Sequence, residues 1–332
     1  MGRDTLPVIF PPPQKRTPVS PIIFLLLGGL AIYFVWLDIA LYISIHDCSR
    51  VPGGTITPQY STISVKSVMQ PPTVHYLEVP ISEWLELQLS LSLLFTPNFI
   101  SFLGVGFGLL ASWFVTWGSR SKIIFGVLLY KVRDLMDALD GVLARGVGAA
   151  IVPTPGTSGY YVDGWCDVAS ETALILATGY LLERARVSSH YKTVQQPTRL
   201  SNLLSPITHH PFIARLLAPI SLPIVCLGIQ SILSAICWNW TTTQLHILLE
   251  TGHTQDKQTQ LFQSSACWLV MYFWRLLNPH MLSQALLVSL LVDRTKQWVE
   301  HARIVVTLPL VTLCTASLIW VYILTRQLYV TS

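Results

Sequence analysis

Four aspartates stand in the stretch "DALDGVLAR" and the stretch "GYYVDGWCD" that follows it: Asp137, Asp140, Asp163 and Asp167. Asp137 and Asp140 are three residues apart and Asp163 and Asp167 four, so on helices each pair occupies one face. The short connection "GVGAAIVPTPGTS" makes the two helices antiparallel neighbours and sets both pairs at the same depth. Four carboxylates then converge on one point. Crowded carboxylates repel one another and take up protons. Divalent cations remove that conflict, and oxygen-only ligands favour hard ions such as Mg²⁺ or Mn²⁺. Two such ions held together are a recurrent device for phosphoryl chemistry. Gly141 and Gly159 leave space beside the acids, and Arg145, four residues after Gly141, can meet a phosphate bidentately. The set suits a diphosphate substrate. The residue types leave two alternatives open: structural acids paired with Lys131, Arg133 or Arg145, and a cation channel or proton-coupled transporter.

The elements that position these residues must lie in a membrane. Of 332 residues, 52% are hydrophobic and 11% charged, with mean hydropathy +0.52, where a soluble domain carries roughly a quarter charged residues. Acids inside such a chain are costly and usually functional. The net charge of +4 is too small to suggest nucleic-acid binding. The six cysteines show no zinc-type spacing. Helices of about 20 apolar residues cross a bilayer, and by that rule seven spans are expected. They are residues 21–45, a second span starting at "TPNFISFLGVGFGLLASWFVTW", then 123–145, 159–182, 212–238, 264–292 and 304–325. The first span is a retained anchor, since no cleavage site follows it. Residues 1–20 are expected to be a disordered cytoplasmic N-terminus. Residues 46–83 should be a lumenal loop whose continuation, "ISEWLELQLSLSLLF", is amphipathic and suited to a membrane surface. Residues 326–332 form a tail.

Lysine and arginine distribution sets the orientation. Lys15 and Arg16 place the N-terminus in the cytoplasm, and successive crossings leave "SRSK", "LERAR" and "DRTKQWVEHAR" on that side. The turn at 146–158 and the sequon at Asn239, a candidate N-glycosylation site, fall on the opposite, lumenal side.

The two stretches resemble the signature of the CDP-alcohol phosphotransferase family, D-x2-D-G-x2-A-R-x8-G-x3-D-x3-D. Asp137, Asp140, Gly141, Ala144, Arg145, Gly159, Asp163 and Asp167 occupy its fixed positions. Thirteen residues separate Arg145 from Gly159 instead of about eight, so the connecting turn is enlarged and its shape is open. "LFTPNFISFLG" is also similar to the family's entry into its first core helix. The resemblance implies an all-α polytopic membrane protein: a six-helix catalytic core over residues 84–325, preceded here by one additional transmembrane helix. It implies two divalent cations, Mn²⁺ or Mg²⁺, on Asp137, Asp140, Asp163 and Asp167. It further implies a CMP site at Gly141, Ala144, Arg145 and Gly159, with Asp167 as general base. A homodimer is a further expectation of the family. The extra first span inverts the core, and members of that topology take CDP-ethanolamine and ceramide in the Golgi (or ER) lumen. The expected reaction is transfer of phosphoethanolamine to ceramide with release of CMP. The alternative is an ethanolamine- or choline-phosphotransferase acting on diacylglycerol.

Outside the signature, Glu171 lies four residues after Asp167 and can orient it or attract an ammonium head group. Asp134 can touch the head group or support Arg133. Tyr160, Tyr161 and Trp165 can face a cation or anchor the chain at the bilayer interface. Cys166 is expected to point away from Asp167. Cys237 and Cys267 are placed near the ends of neighbouring spans, where a disulfide is conceivable. Asp38 should find a partner in the bundle, and Arg275 can meet an acid or a lipid head group.

Overall fold

Thr96 and Pro97 begin the core in the manner the sequence anticipates. The Thr96 hydroxyl accepts a hydrogen bond from the Phe99 N–H, and proline fills the first helical turn, where no N–H partner is needed. The computed structural model describes residues 20–47, 64–149, 155–190, 221–250 and 255–329, and every regular element among them is helical. The elements are α1 (Pro21–Asp47), α2 (Val65–Met69), α3 (Val79–Leu89), α4 (Pro97–Thr116), α5 (Arg120–Arg145) and α6 (Ser158–His190). They continue as α7 (Leu222–Glu250), α8 (Gln255–Phe262), α9 (Ser265–Leu277), α10 (Pro279–Leu291), α11 (Thr295–Val305) and α12 (Thr307–Tyr329).

Among the described residues, four stretches are long and apolar enough to cross a membrane: Pro21–His46, Pro97–Thr116, Leu222–Glu250 and Thr295–Leu328. The acid-bearing α5 and α6 have the length but carry charges. The expected span at 264–292 is two helices, because Asn278 caps α10 and Pro279 opens it. The expected fifth span, 212–238, is shifted: the described helix runs Leu222–Glu250. The Pro-rich N-terminus, the centre of the 146–158 turn, most of the connection after α6 and the last three residues lie outside the described residues.

α4 packs most extensively on α5 and α6, and small residues permit it. A side chain at Gly108 would meet Ser170 Oγ at 2.8 Å, and one at Gly126 would meet the Ala111 carbonyl at 2.8 Å. Around this triad one apolar cluster joins Ala111, Val115, Ile123, Tyr130, Leu174 and Leu287. A second gathers Ile45 of α1, Val68 and Met69 of α2, Leu245 of α7, Trp274 of α9 and Leu310 of α12. The segment read as a loop before the core is thus partly built into it: α2 packs on α7 and α9, and α3 on α5.

α1 is apolar on nearly all sides, with Leu25 75% and Ile32 73% exposed, as a lipid-facing helix should be. Its buried acid, Asp38, pairs with Arg275 of α9 at 2.9 Å and accepts from Tyr76 Oη at 2.8 Å. Asn239 stands within α7, its amide donating to the Ala235 carbonyl at 3.0 Å, rather than in a loop. Cys237 and Cys267 are free thiols, and the thiol that neighbours Cys237 is Cys314.

Candidate active site

α5 ends where Gly146 turns to φ +89° with its N–H on the Val142 carbonyl, and α6 returns alongside. This antiparallel pair brings Asp137, Asp140, Asp163 and Asp167 to the wall of a single cleft of about 180 Å³. Ser101, Gly104 and Val105 of α4 close its other side. The convergence expected from the spacing of the acids is present.

Each carboxylate has a distinct environment. Asp140 accepts a hydrogen bond from Ser101 Oγ. Asp167 is in contact through Oδ1 with the buried guanidinium of Arg133, which also lies 3.8 Å from Asp137 and 3.1 Å from Asp134. Asp134 is in turn held by Lys131 at 2.7 Å, and Lys131 reaches Glu78 at 2.5 Å. Asp134 therefore supports Arg133 and is buried away from the cleft lining. The second oxygen of Asp167, Oδ2, faces His280 Nε2 at 3.9 Å. Asp137, Asp167 and His280 each offer one ligand atom, all within 4.8 Å of one another. Carboxylates and an imidazole so placed fit a hard or borderline divalent cation, and Asp140 and Asp163 line the same wall.

Arg145 folds back over Gly141: a side chain at 141 would stand 2.7 Å from Arg145 Nη1. Glycine is what lets the guanidinium lie against the helix, next to Asp140. Gly159, one turn before Asp163 on α6, has nothing nearer to its missing side chain than Asn98 Oδ1 at 3.9 Å, and it is not among the residues that line the cleft. Ala144 lies one residue before Arg145 on the last turn of α5. Glu171 accepts from Ser283 Oγ at 2.8 Å and lines a neighbouring cleft. Trp165 and Tyr161 are exposed, 74% and 58%, and are absent from the cleft lining. Cys166 corrects an expectation: it lines the acid-bearing cleft, because the lining wraps around α6 between its two aspartates.

Two residues beside the site were not singled out from sequence, His280 and Lys66, and Arg133 was named there only as a candidate ion-pair partner. Arg133 is an unremarkable i−4 neighbour of Asp137 until α6 supplies Asp167 as its second partner. His280 is brought in by the break at Asn278–Pro279, a helix-start signal that was legible but lay inside an expected continuous span. Lys66 comes from α2. Burial pushes its ammonium below the usual lysine range; Asp163 opposes this, Arg145 adds to it, and Asp137 and Asp167 oppose it further. Its Nζ also sits 6.0 Å from the Trp238 ring centroid. Nothing in the periodicity of "TISVKSVM" links it to residues so far along the chain.

The comparisons with known proteins agree with the geometry. A family model described as ceramide phosphoethanolamine synthase matches residues 54–331. A relative from Drosophila melanogaster, named ceramide phosphoethanolamine synthase, is 30% identical over 253 residues, covering 73% of this chain and 63% of that protein. The chain thus spans a little less than two thirds of that relative's length. No solved structure matches. The matched residues hold α2 through α12, all four aspartates and the His280 that faces Asp167, so the chain belongs to the ceramide phosphoethanolamine synthase family.

Proposed function

We propose that the protein transfers phosphoethanolamine from CDP-ethanolamine to ceramide, releasing CMP and ceramide phosphoethanolamine. The observation that carries this reading is the convergence of Asp137, Asp140, Asp163 and Asp167 on one cleft, within the span matched by the family. The relative's name supports ceramide as acceptor and phosphoethanolamine as the group moved.

The acids, with His280 at their edge, would hold two divalent cations, Mn²⁺ or Mg²⁺. When bound, these supply charge neutralisation for the diphosphate and for the oxygens of the transferred phosphoryl group. The chain's own residues do the rest. Arg145, lying against Gly141, binds the phosphate that leaves with CMP, and the open backbone at Gly159 admits the nucleotide. Arg133 holds Asp167 by Oδ1, which orients Oδ2 toward the incoming alcohol. The primary hydroxyl of ceramide forms a bond to the phosphoethanolamine phosphorus, the bond from that phosphorus to the bridging oxygen of CMP breaks, and the hydroxyl proton passes to Asp167 Oδ2. Burial of Asp134 and Arg133 keeps this constellation rigid, so the base need not reorganise as the proton moves.

The positively charged connections support an orientation in which the 146–158 turn, and with it the cleft, opens to the Golgi (or ER) lumen. The test is an assay on purified protein with CDP-ethanolamine or CDP-choline, each offered with ceramide or diacylglycerol, and product mass as the readout. Ceramide phosphoethanolamine is the expected product, and its formation should cease in EDTA and return on adding Mn²⁺ or Mg²⁺. Phosphatidylethanolamine as the sole product would overturn the acceptor assignment, and full activity in EDTA the metal assignment.

A further inference from the structure

A second cleft opens between α6, α7 and α10. Leu174, Leu227, Leu286 and Trp298 make its walls apolar. Its polar end is Glu171, bonded to Ser283 at 2.8 Å. Glu171 is one helical turn from Asp167 on α6, and Ser283 is three residues from His280 on α10. Asp167 and His280 face each other at 3.9 Å. The cleft therefore begins one turn beyond the oxygen assigned as proton acceptor, on the same faces of the same two helices.

Gln230 supplies an independent sign of a ligand. It is 4% exposed and lines the cleft. Its Nε2 donates to the Ala302 carbonyl at 2.8 Å and to Thr307 Oγ1 at 2.7 Å, which fixes the amide. Its Oε1 is buried with no hydrogen-bond partner, and so is the indole Nε1 of Trp298 on the same wall. A buried acceptor and a buried donor left bare in an apolar cleft are each costly unless something meets them.

We propose that this cleft is the acceptor-lipid subsite, and that Glu171 and Gln230 select ceramide by accepting the hydrogen bonds of its amide N–H and secondary hydroxyl. The inference rests on the proposed function and adds where the lipid lies and why it is a sphingolipid. One hydrocarbon chain runs along Leu174, Leu227 and Leu286, and the primary hydroxyl is delivered to Asp167. Diacylglycerol has a single hydroxyl, which the reaction consumes, so it would leave Glu171 and Gln230 without donors. A site built to hydrogen-bond a substrate discriminates strongly against an analogue lacking those groups.

The experiment uses the full chain in lipid nanodiscs with a photoactivatable ceramide, and maps the cross-linked peptides. Labelling is expected on residues 171–175, 227–231 and 282–286, displaced by unlabelled ceramide and not by diacylglycerol. Ser231→Trp, which fills the cleft, should raise KM for ceramide about tenfold or more while leaving KM for CDP-ethanolamine as in the wild type. Glu171→Leu should narrow the preference for ceramide over diacylglycerol. Labelling confined to other surfaces, or a wild-type ceramide KM in a Ser231→Trp protein that binds CDP-ethanolamine normally, overturns the proposal. If Ser231→Trp fails to bind the nucleotide at all, the wild-type label map decides alone. Ceramide cross-linked in the cleft of a wild-type protein that makes no ceramide phosphoethanolamine would support this subsite while overturning the reaction proposed above.

Discussion

Asp38 of α1 and Arg275 of α9 form an ion pair of 2.9 Å, with both side chains buried. Arg275 also donates to the carbonyls of Val68 at 3.0 Å and Gln70 at 2.8 Å, so one guanidinium ties the outer helix to the segment that carries Lys66. Removing one partner of such a pair leaves an uncompensated charge. Asp38→Ala should therefore cost about 3–5 kcal/mol of stability, read as a fall in thermal midpoint of the detergent-solubilised protein. Asp38→Leu combined with Arg275→Met should recover part of that loss. A midpoint unchanged by Asp38→Ala would show that the pair contributes nothing.

Asp167→Asn keeps the size of the side chain and its Arg133 contact but cannot accept a proton. CMP release is expected to slow about 10²–10⁴-fold while CDP-ethanolamine still binds, as judged by equilibrium dialysis with labelled nucleotide. Asp137→Ala, Asp140→Ala and Asp163→Ala should abolish transfer with the fold retained. Wild-type turnover in Asp167→Asn would take the base role from this residue.

Gly108 sets the distance between α4 and α6. A valine there meets Ser170 Oγ and its Cβ, 2.8 and 2.9 Å from the first added carbon. Overpacking of this kind costs about 1–3 kcal/mol, but the helix that must move carries Asp163 and Asp167. Activity of Gly108→Val should fall much further than its thermal midpoint, whereas Gly106→Val, with open space around it, should behave as the wild type.

His75 lies between α2 and α3, outside the spans. Burial holds its imidazole down to about 4 from an ordinary value of 6.5; the Arg275 charge acts in the same sense, and the hydrogen bond to the Ser67 carbonyl opposes. A depressed value means that the folded protein keeps the ring neutral while the unfolded chain takes up a proton. The stabilisation is thus fully present above about 6.5 and is lost as pH falls toward 4. Thermal midpoints should decline across that interval, and His75→Phe should flatten the decline. Parallel curves for the two proteins would exclude His75 as the source.

Ser158 opens α6 and is exposed. In sealed, right-side-out Golgi vesicles a cysteine placed there should resist an impermeant thiol reagent until detergent is added. Labelling before permeabilisation would turn the cleft to the cytoplasm and favour a diacylglycerol enzyme.

The four aspartates were legible because the helix repeat converts spacing into a shared face, and a short connection forces two helices to lie side by side. Their partners were less so. Arg133 and Asp167 meet only through the register of α5 on α6, which depends on the close approach at Gly108 and Gly126. Lys66 feels the charges of Asp163, Asp137 and Asp167 from a segment more than seventy residues earlier whose composition reads as loop. His280 depended on seeing that Asn278 and Pro279 interrupt an apolar run, which hydropathy alone treats as continuous. The shift of the fifth span to Leu222–Glu250 has a similar cause: polar Asn239, Thr241 and Thr242 looked like a terminus, yet Thr241 and Thr242 are buried within the helix.

The Asp38–Arg275 pair also bears on how the protein is made. Synthesis runs from the N-terminus, so α1 enters the membrane 237 residues before Arg275 leaves the ribosome, as the numbering shows (275 − 38 = 237). Through that interval the acid can meet the Tyr76 hydroxyl but not its counter-charge, and the mostly exposed surface of α1 offers little else to dock by. α1 gains its charged partner only when α9 arrives, so a helix inserted before α9 is completed after it. Nascent chains halted before residue 275 should keep α1 at the translocon or with a membrane chaperone.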